Sequence, residues 1–465
     1  MSMGEQPTER QEAFWIATAD LAKAPGHPFY RKLNEILAEH GFDRFAEGLC
    51  RKFYVENVGR KSIPPGVYFR MLLIGYLEGI DSERGIAWRC ADSLGLRAFL
   101  GYALDKSTPD HSSLSVIRGR IDLETHEEIF GWVLKVVAEH KLLRGKTLGV
   151  DATTLEANAA LRSIVRRDNG DSYEEFLTKL AKASGIETPT RADLAKLDRK
   201  RKKKGSNKDW FNPHDPDAKI AKMKDGRTHL AHKAEHTVDL DTGAIVSVQL
   251  TGADRGDTQT LGGSLTEATG NLASVRDDAE CADTLASPIA QEVVADKGYH
   301  SNDTCRDCAE AGMRTYLSEP DRGRRTWTDR KTGRVKAAER EAVYGNRRRV
   351  RGDRGKGLMR KRGELLERPF AHCYETGGMR RTHLRGHRNI LKRLLVHVAG
   401  FNLSLVMRKV FGIGKPRRLQ GGLSAAISGL VLVSTAAWRW LGRCVALLGR
   451  IRNGLRLSPH LCRAA

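Results

Sequence analysis

Residues 292–301 read EVVADKGYHS and combine a short apolar run with an abrupt change to polar side chains. The apolar residues 293–295 predict a buried strand, and Asp296 follows it directly. Rigid scaffolds present catalytic groups at the ends of buried strands, although turn-forming aspartates also occur there. Residues 146–160, KTLGVDATTLEANAA, repeat the pattern, because a short apolar strand is predicted to end in Asp151. The two strand-end carboxylates are therefore the first candidates for a functional site.

Strand and helix signals alternate on both sides of Asp296. Residues 229–250 predict a β-hairpin, because HLAHKAEHTVDL, in which polar and apolar residues alternate, and AIVSVQL flank the turn sequence DTG. Helices are predicted over 255–268 and 303–311, and a strand is predicted over 313–319. Together with the strand before Asp151, this order predicts a mixed α/β (α+β) fold for the middle of the chain.

Residues 28–145 carry helical signals throughout, after a predicted flexible N-terminus at 1–27. The segment PPGVYFRMLLIGYLEG (64–79) opens on prolines and closes on glycine, which marks both ends of a helix. The segment EEIFGWVLKVVAEH (127–140) places four apolar side chains on one helical stripe: Ile129, Val133, Val136 and Val137. This region is therefore predicted to be an all-α domain.

Two places in the all-α region are candidates for a helix-turn-helix. In the first, Ser82 caps a helix and Gly95 turns the chain into the next one. In the second, Asp110 caps a helix that carries Arg118 and Arg120 as candidate DNA contacts. An ordinary helical bundle explains both patterns equally well.

The charge of the chain favours a polyanionic partner. Its 465 residues, enough for two or three domains, carry a net charge of +22. Such an excess of positive charge destabilises the folded state, because the charges repel one another. A bound polyanion offsets this repulsion, and the polyanion is most often nucleic acid. A surface of anionic lipid is the weaker alternative.

The N-terminus and the cysteines favour a cytoplasmic location. The polar segment MSMGEQPTERQEAF is not typical of a signal peptide, and eight dispersed cysteines form no dense framework. Cys305 and Cys308 have CxxC spacing without a second pair. Two positions on one helix are therefore favoured over a zinc or redox site.

Residues 161–227 have the composition of an insertion, with a predicted helix at SYEEFLTKLAKAS (172–184). They also include a run of six basic residues that cannot pack in a core: Arg199, Lys200, Arg201, Lys202, Lys203 and Lys204. A solvated linker and a loop that contacts DNA phosphates both fit this run.

Residues 336–411 are predicted to be helical and basic, with carboxylates at Glu364, Glu367 and Glu375. Residues 412–465 are predicted to form a C-terminal helical tail. Within it, residues 421–438 carry no charge, at the lower edge of the length that spans a bilayer. A helix used for packing or self-association is favoured there over a membrane span.

The sequence has two strand-end aspartates and a glutamate on a basic helix near the end of the predicted core. In a chain whose charge favours DNA as a partner, three such carboxylates indicate metal-dependent phosphodiester chemistry. Phosphodiester cleavage and strand transfer need the attacking and leaving oxygens held in line, which two Mg²⁺ ions about 4 Å apart achieve. Hard cations bind carboxylate oxygens. Without metal, three clustered carboxylates would repel one another and raise their own pKa values.

Three segments carry a resemblance to a known family: GVDATTLEANAA, VVADKGYHS and RGELLERPFAHCYETGGMRRTHLRG. In this order and spacing they resemble the bacterial insertion-sequence transposases of the DDE class. Residues 225–261 and 62–121 are also similar to that family, so the resemblance runs from about residue 28 to about 415. It implies an RNase H-like catalytic core over 146–411, which includes the insertion, and a helical DNA-binding domain over 28–145.

The resemblance implies roles for individual residues. Asp151, Asp296 and Glu367 would hold two Mg²⁺ ions, for which Mn²⁺ can substitute. Glu364, one turn earlier, is the rival third ligand. The lysine that the family places about two turns after the glutamate is absent, and Tyr374 stands there.

Other residues would contact DNA near the site. Arg380, Arg381 and Arg385 take the place of the missing lysine, and Lys297 is a further phosphate contact. Tyr299 would stack on a base or sugar, although both Lys297 and Tyr299 are also explained as ordinary loop residues.

The resemblance implies a DNA transposase that cleaves at insertion-sequence ends and joins them to target DNA. Its partners would be the terminal inverted repeats and the target, with no small-molecule substrate, in the bacterial cytoplasm at the nucleoid. Joining two ends favours a homodimer. The alternatives are a catalytically inactive DNA-binding protein from a decayed element and a basic RNA-binding or membrane-associated protein.

Overall fold

The computed structural model describes residues 26–55, 62–201, 205–223, 226–321, 323, 325–328 and 335–419. The predicted N-terminal segment before residue 26, Lys202 to Lys204, and the apolar segment 421–438 lie outside the described residues. The described part of the chain is mixed α and β, with 14 α-helices and a mixed sheet. The predicted fold class is confirmed at this level.

Seven helices precede the first strand: α1 (Pro28–Glu39), α2 (Phe42–Cys50), α3 (Pro65–Glu78), α4 (Glu83–Asp92), α5 (Leu94–Leu100), α6 (His111–Arg120) and α7 (Leu123–Glu139). The predicted caps are present, because Ser82 accepts from the Gly85 amide and Asp110 accepts from the Ser113 amide. The prediction that Gly95 makes the turn is wrong. Ser93 has extended backbone, ends α4 and caps α5, and Gly95 lies inside α5.

Strands dominate the middle of the chain: β1 (Thr147–Glu156), β2 (Val165–Arg166), α8 (Tyr173–Ala183), α9 (Arg191–Lys200), β3 (Trp210–Phe211), β4 (Lys219–Lys222), β5 (Thr228–Asp239), β6 (Ile245–Gly252), α10 (Asp257–Arg276), β7 (Glu292–Ala295), α11 (Asn302–Glu310) and β8 (Arg314–Leu317). The hairpin predicted at 229–250 is β5–β6. The predicted insertion is not wholly separate, because β4 pairs with β5 in the main sheet.

Three helices follow β8: α12 (Ala337–Arg351), α13 (Asp353–Phe370) and α14 (His387–Phe411). A π-helical turn, Ala371–Glu375, extends α13 directly. Residues 376–386 are not helical, which corrects the prediction of helix throughout 336–411. Gly378 and Gly386 adopt left-handed backbone there, which favours glycine and ends regular helix.

The six-stranded sheet has the order β4-β5-β1-β7-β8, and β6 also pairs with β5. β1 runs antiparallel to β5 and parallel to β7, and β7 runs parallel to β8. The prediction that Asp151 ends its strand is wrong, because the long strand β5 supplies partners for β1 as far as Glu156. β7 has only four residues, so its pairing with β1 stops at Gly149.

The helical region and the sheet share one hydrophobic core, which extends in sequence from Phe29 to Met407. Helix α14 packs against α3 and α7 on one side and against β6 on the other, while α13 packs on β1 and β7. The segment His387–Leu419 is long and apolar enough to cross a membrane, but 94% of its most apolar window is buried inside the protein. This burial is typical of the core helix of a soluble protein.

Candidate active site

Parallel pairing of β1 and β7 brings Asp151 and Asp296 together. Gly149 lies opposite Val294 in the last register pair of these strands. Asp151 and Asp296 each follow that pair by two residues, on neighbouring strands that run in the same direction. The prediction that adjacent core strands hold the two aspartates is confirmed, although 145 residues separate them in the chain.

Arg362, on α13, lies between the two aspartates. Its Nη2 atom is 2.9 Å from Oδ2 of Asp151 and 3.9 Å from Oδ2 of Asp296. The Arg362 side chain is 17% exposed. A single cation therefore lies within ion-pair distance of both carboxylates and offsets part of their negative charge from the helix side of the sheet.

Burial raises the pKa of Asp151 above its ordinary value, and the Arg362 guanidinium opposes this by favouring the ionised form. The negative charges of Asp296 and Asp257 raise the pKa of Asp151 further. Asp296 accepts a hydrogen bond from the Gly298 amide at 2.8 Å, which fixes the short 3₁₀ turn Lys297–Tyr299 that follows it. The pair is a concentration of negative charge that favours a bound cation.

Glu364 and Glu367 do not share the face of α13 that carries Arg362. Successive residues of an α-helix advance by 1/3.6 of a turn, about 100°, so both glutamates point more than about a third of a turn away from Arg362. Glu364 is exposed and pairs with Arg368. Glu367 is exposed too, and its carboxylate makes no hydrogen bond or ion pair with any residue that the structure describes.

The donor chemistry of the aspartate pair fits Mg²⁺ or Mn²⁺, because both ligands are carboxylates and hard cations bind carboxylate oxygens. Within the described residues, no group of three or more His, Cys, Asp or Glu side chains is arranged to hold a metal ion. The structure therefore brings two of the three predicted ligands together, and the role of Glu367 stays a prediction.

The helical region supplies the link to known proteins. Residues 19–120 match a family model described as a transposase domain (DUF772). This match supports a transposase. A search of curated proteins finds no match.

A transposase acts on DNA, so the placement of the basic residues becomes relevant. Arg118 has a side chain that is 14% exposed and paired with Glu83, so it joins α6 to α4. Arg120 is exposed and stacks over Tyr54 at 5.0 Å from the ring centroid. Of these two predicted DNA contacts, only Arg120 presents its side chain to solvent.

Arg381 and Arg385 line a cleft of about 470 Å³ beside the last residues of β1 and the first residues of β5. Arg381 lies 3.8 Å from Glu156, and Arg385 donates to the backbone carbonyl of Asn158. The half-buried Arg380 donates to Thr153 and pairs with Glu375. The predicted DNA contacts at 380–385 therefore lie along the continuation of β1 beyond Asp151.

The remaining predicted contacts differ in exposure. Lys297 is exposed directly after Asp296, and Arg199 and Lys200 are exposed at the end of α9. Arg201 is half-buried beside Asp198. Lys202, Lys203 and Lys204 lie outside the described residues.

Two aromatic residues near the site are structural. Tyr299 is 1% exposed, so the prediction that it stacks on a base or sugar is wrong for this structure. Its hydroxyl donates to the buried carboxylate of Glu235 at 2.8 Å. Tyr374 is fully buried, and its hydroxyl lies within hydrogen-bond distance of His236, the cross-strand neighbour of Asp151.

Sequence reasoning missed Arg362 and Asp257. Arg362 lies in LMRKRGELL, among several arginines and lysines that look alike in sequence. Asp257 opens α10 in RGDTQTL, where an acidic first-turn residue is ordinary. Only the three-dimensional structure shows that both charges lie next to the aspartate pair. Cys305 and Cys308 are buried positions on α11, which is consistent with the interpretation as two helix residues.

Proposed function

We propose that this transposase belongs to the DDE class and that β1, β5, β6, β7 and β8 form an RNase H-like catalytic core. It cleaves DNA at insertion-sequence ends with Mg²⁺, and the freed 3′-hydroxyl then attacks a phosphodiester of target DNA and displaces a 3′-hydroxyl of the target strand. The observation that carries the proposal is the meeting of Asp151 and Asp296 at the ends of their parallel register, bridged by one guanidinium.

Asp151 and Asp296 would hold the divalent ions, and Glu367 would complete the set from α13. Bound there, the ions supply Lewis-acid activation of water or of a 3′-hydroxyl. The chain's own residues orient the DNA. Arg381 and Arg385 receive the phosphate backbone along the continuation of β1, and Lys297 lies exposed beside Asp296. Arg362 offsets the repulsion between the two aspartates when no metal is present.

A second candidate is a DNA-binding protein that no longer cleaves. It is favoured by one observation: a guanidinium bridges the aspartate pair, while Glu367 is exposed on another face of the same helix. In that case Arg362 would be a permanent partner of Asp151 and Asp296.

The deciding experiment incubates the full-length chain with supercoiled DNA that carries the inverted repeats flanking its gene. The proposal predicts nicks at the repeat ends in Mg²⁺ or Mn²⁺ and none in EDTA. Tight binding to the repeats without nicks in either metal would instead support the non-cleaving protein. Purification with membranes would favour the membrane-associated alternative.

A further inference from the structure

A buried polar network lies behind the turn that carries Asp296. Lys233 and Glu235 are alternate residues of β5, so they share one face of the strand next to β1. They are 5% and 1% exposed. Buried charges are costly unless they are paired and hydrogen-bonded, so the partners of these two side chains show what the network holds.

The first partner is the end of the turn. Glu235 accepts a hydrogen bond from the Tyr299 hydroxyl at 2.8 Å and another from the Thr260 hydroxyl at 2.7 Å. Ser264 also donates to Glu235. Because Tyr299 lies three residues after Asp296, this bond ties the far end of the turn to β5.

The second partner is the middle of the turn. Lys233 donates to Asp257 at 2.6 Å, and it also lies 3.4 Å from Glu235. A Cβ atom added to Gly298 would lie 2.3 Å from Oδ2 of Asp257 and 3.1 Å from Oδ1 of Asp296. The Asp257 carboxylate therefore packs directly against the backbone of the turn, which explains the glycine at position 298.

We propose that Tyr299, acting through Glu235, and Lys233, acting through Asp257, are positioning residues that hold Asp296 beside Asp151. This inference rests on the proposed function, because it assigns the network to the metal site. The network contacts the turn at Gly298 and at Tyr299, which follow Asp296 by two and three residues. Outer partners of metal-binding carboxylates control affinity in this way.

The test compares two variants with a matched control. Tyr299→Phe removes one hydroxyl, and Asp257→Asn removes the charge that Lys233 holds. Tyr316→Phe is the control, because the Tyr316 hydroxyl also bonds a buried glutamate, Glu292, at 3.3 Å. Glu292 begins β7, so this bond lies at the end of the strand opposite to Asp296.

The measurement is Mn²⁺ binding to each full-length protein by electron paramagnetic resonance, beside the Mg²⁺ concentration for half-maximal cleavage. Tyr299→Phe and Asp257→Asn should each weaken Mn²⁺ binding by about tenfold and raise the Mg²⁺ concentration for half-maximal cleavage by about tenfold. This is the lower end of the effect of residues that hydrogen-bond to metal ligands. Cleavage at saturating Mg²⁺ and DNA binding should change far less. Tyr316→Phe should match the wild type in all four measurements.

The outcomes separate this inference from the proposed function. Wild-type protein that binds no Mn²⁺ and cleaves no DNA overturns both. Wild-type protein that binds and cleaves, beside two variants with unchanged metal use, overturns the positioning role alone. Equal losses in Tyr316→Phe also overturn it, since the effect would then be general weakening of the sheet. If Tyr299→Phe does not fold, Asp257→Asn decides the question.

Discussion

The strand pair and helix α13 contribute to the candidate site in different ways. Asp151 and Asp296 are brought to the same edge of the sheet by backbone pairing, because each follows the last β1–β7 register pair by two residues. Glu367 depends on how α13 packs and rotates, and it is exposed without a partner among the described residues. Arg362, from the same helix, is the side chain that reaches the aspartates.

The difference shows that the aspartate pair is already assembled in the free protein, whereas Glu367 would join the site only when a ligand is bound. The β1–β7 register brings the two aspartates to one edge of the sheet, whereas α13 contains Pro369 in its last turn and continues into a π-helical turn, and both alter its regular hydrogen bonding. We therefore expect substitution of either aspartate to reduce cleavage in Mg²⁺ most strongly, and the contribution of Glu367 to appear only when metal and DNA are bound.

The largest effect is expected at the aspartates. Asp151→Asn and Asp296→Asn keep the shape of the side chain and remove the charge that would hold the metal, so each should reduce metal-dependent cleavage by at least about a thousandfold. This loss corresponds to about 4 kcal/mol of transition-state stabilisation, at about 1.4 kcal/mol for each factor of ten. Binding to DNA ends, measured by gel shift, should stay near the wild-type level, because phosphate contacts supply the affinity. Full activity in either variant would refute the two-metal interpretation.

The next effect tests α13 itself. Glu367→Gln should reduce cleavage by about a hundredfold or more if this side chain joins the metal site in the DNA complex. Glu364→Gln is the matched control, because it removes the same charge three residues away and should cost only a surface pair with Arg368. Loss of activity in Glu364→Gln, together with an active Glu367→Gln, would reverse the assignment.

A smaller effect is expected from the residue that joins the two regions. The Arg362 guanidinium opposes the rise in the pKa of Asp151 that burial causes, so Arg362→Gln should raise that pKa further. Asp151 must be ionised to bind metal, and it is ionised above its pKa. The acid limb of the pH–rate profile should therefore move to higher pH. Arg360→Gln, an exposed neighbour on α13, should leave the profile in place. A shift to lower pH would contradict this account.

The smallest effect is expected from the basic run at Arg199 to Lys204. Neutralising the run should weaken DNA binding for all sequences alike. Each lost phosphate contact should lower the slope of log affinity against log salt by about 0.9. Cleavage at saturating DNA should not change. An unchanged slope would show that the run is a solvated linker.

The sequence predicted those features that local pattern determines. Apolar runs located β1, β5, β6 and β7, and capping residues located the starts of α4 and α6. The sequence also predicted that Asp151 and Asp296 lie on adjacent strands, which are β1 and the end of β7. The end of β1 was misjudged, because the extent of β5 pairing beyond Asp151 depends on a distant strand. Arg362, Asp257 and the burial of Tyr299 depend on packing between elements far apart in the chain, which no local pattern encodes.

The most direct measurement of the central claim replaces each aspartate with a thiol ligand. Asp151→Cys and Asp296→Cys should be inactive in Mg²⁺, which prefers oxygen donors, and should regain part of their cleavage in Mn²⁺, which accepts softer ligands more readily. Asp241→Cys, at an exposed turn carboxylate that pairs with Lys361, should cleave equally in both metals. Recovery in Mn²⁺ at positions 151 and 296 alone is the predicted result. Cleavage by the two cysteine variants that does not depend on the metal offered would contradict the claim that these aspartates hold the catalytic ions.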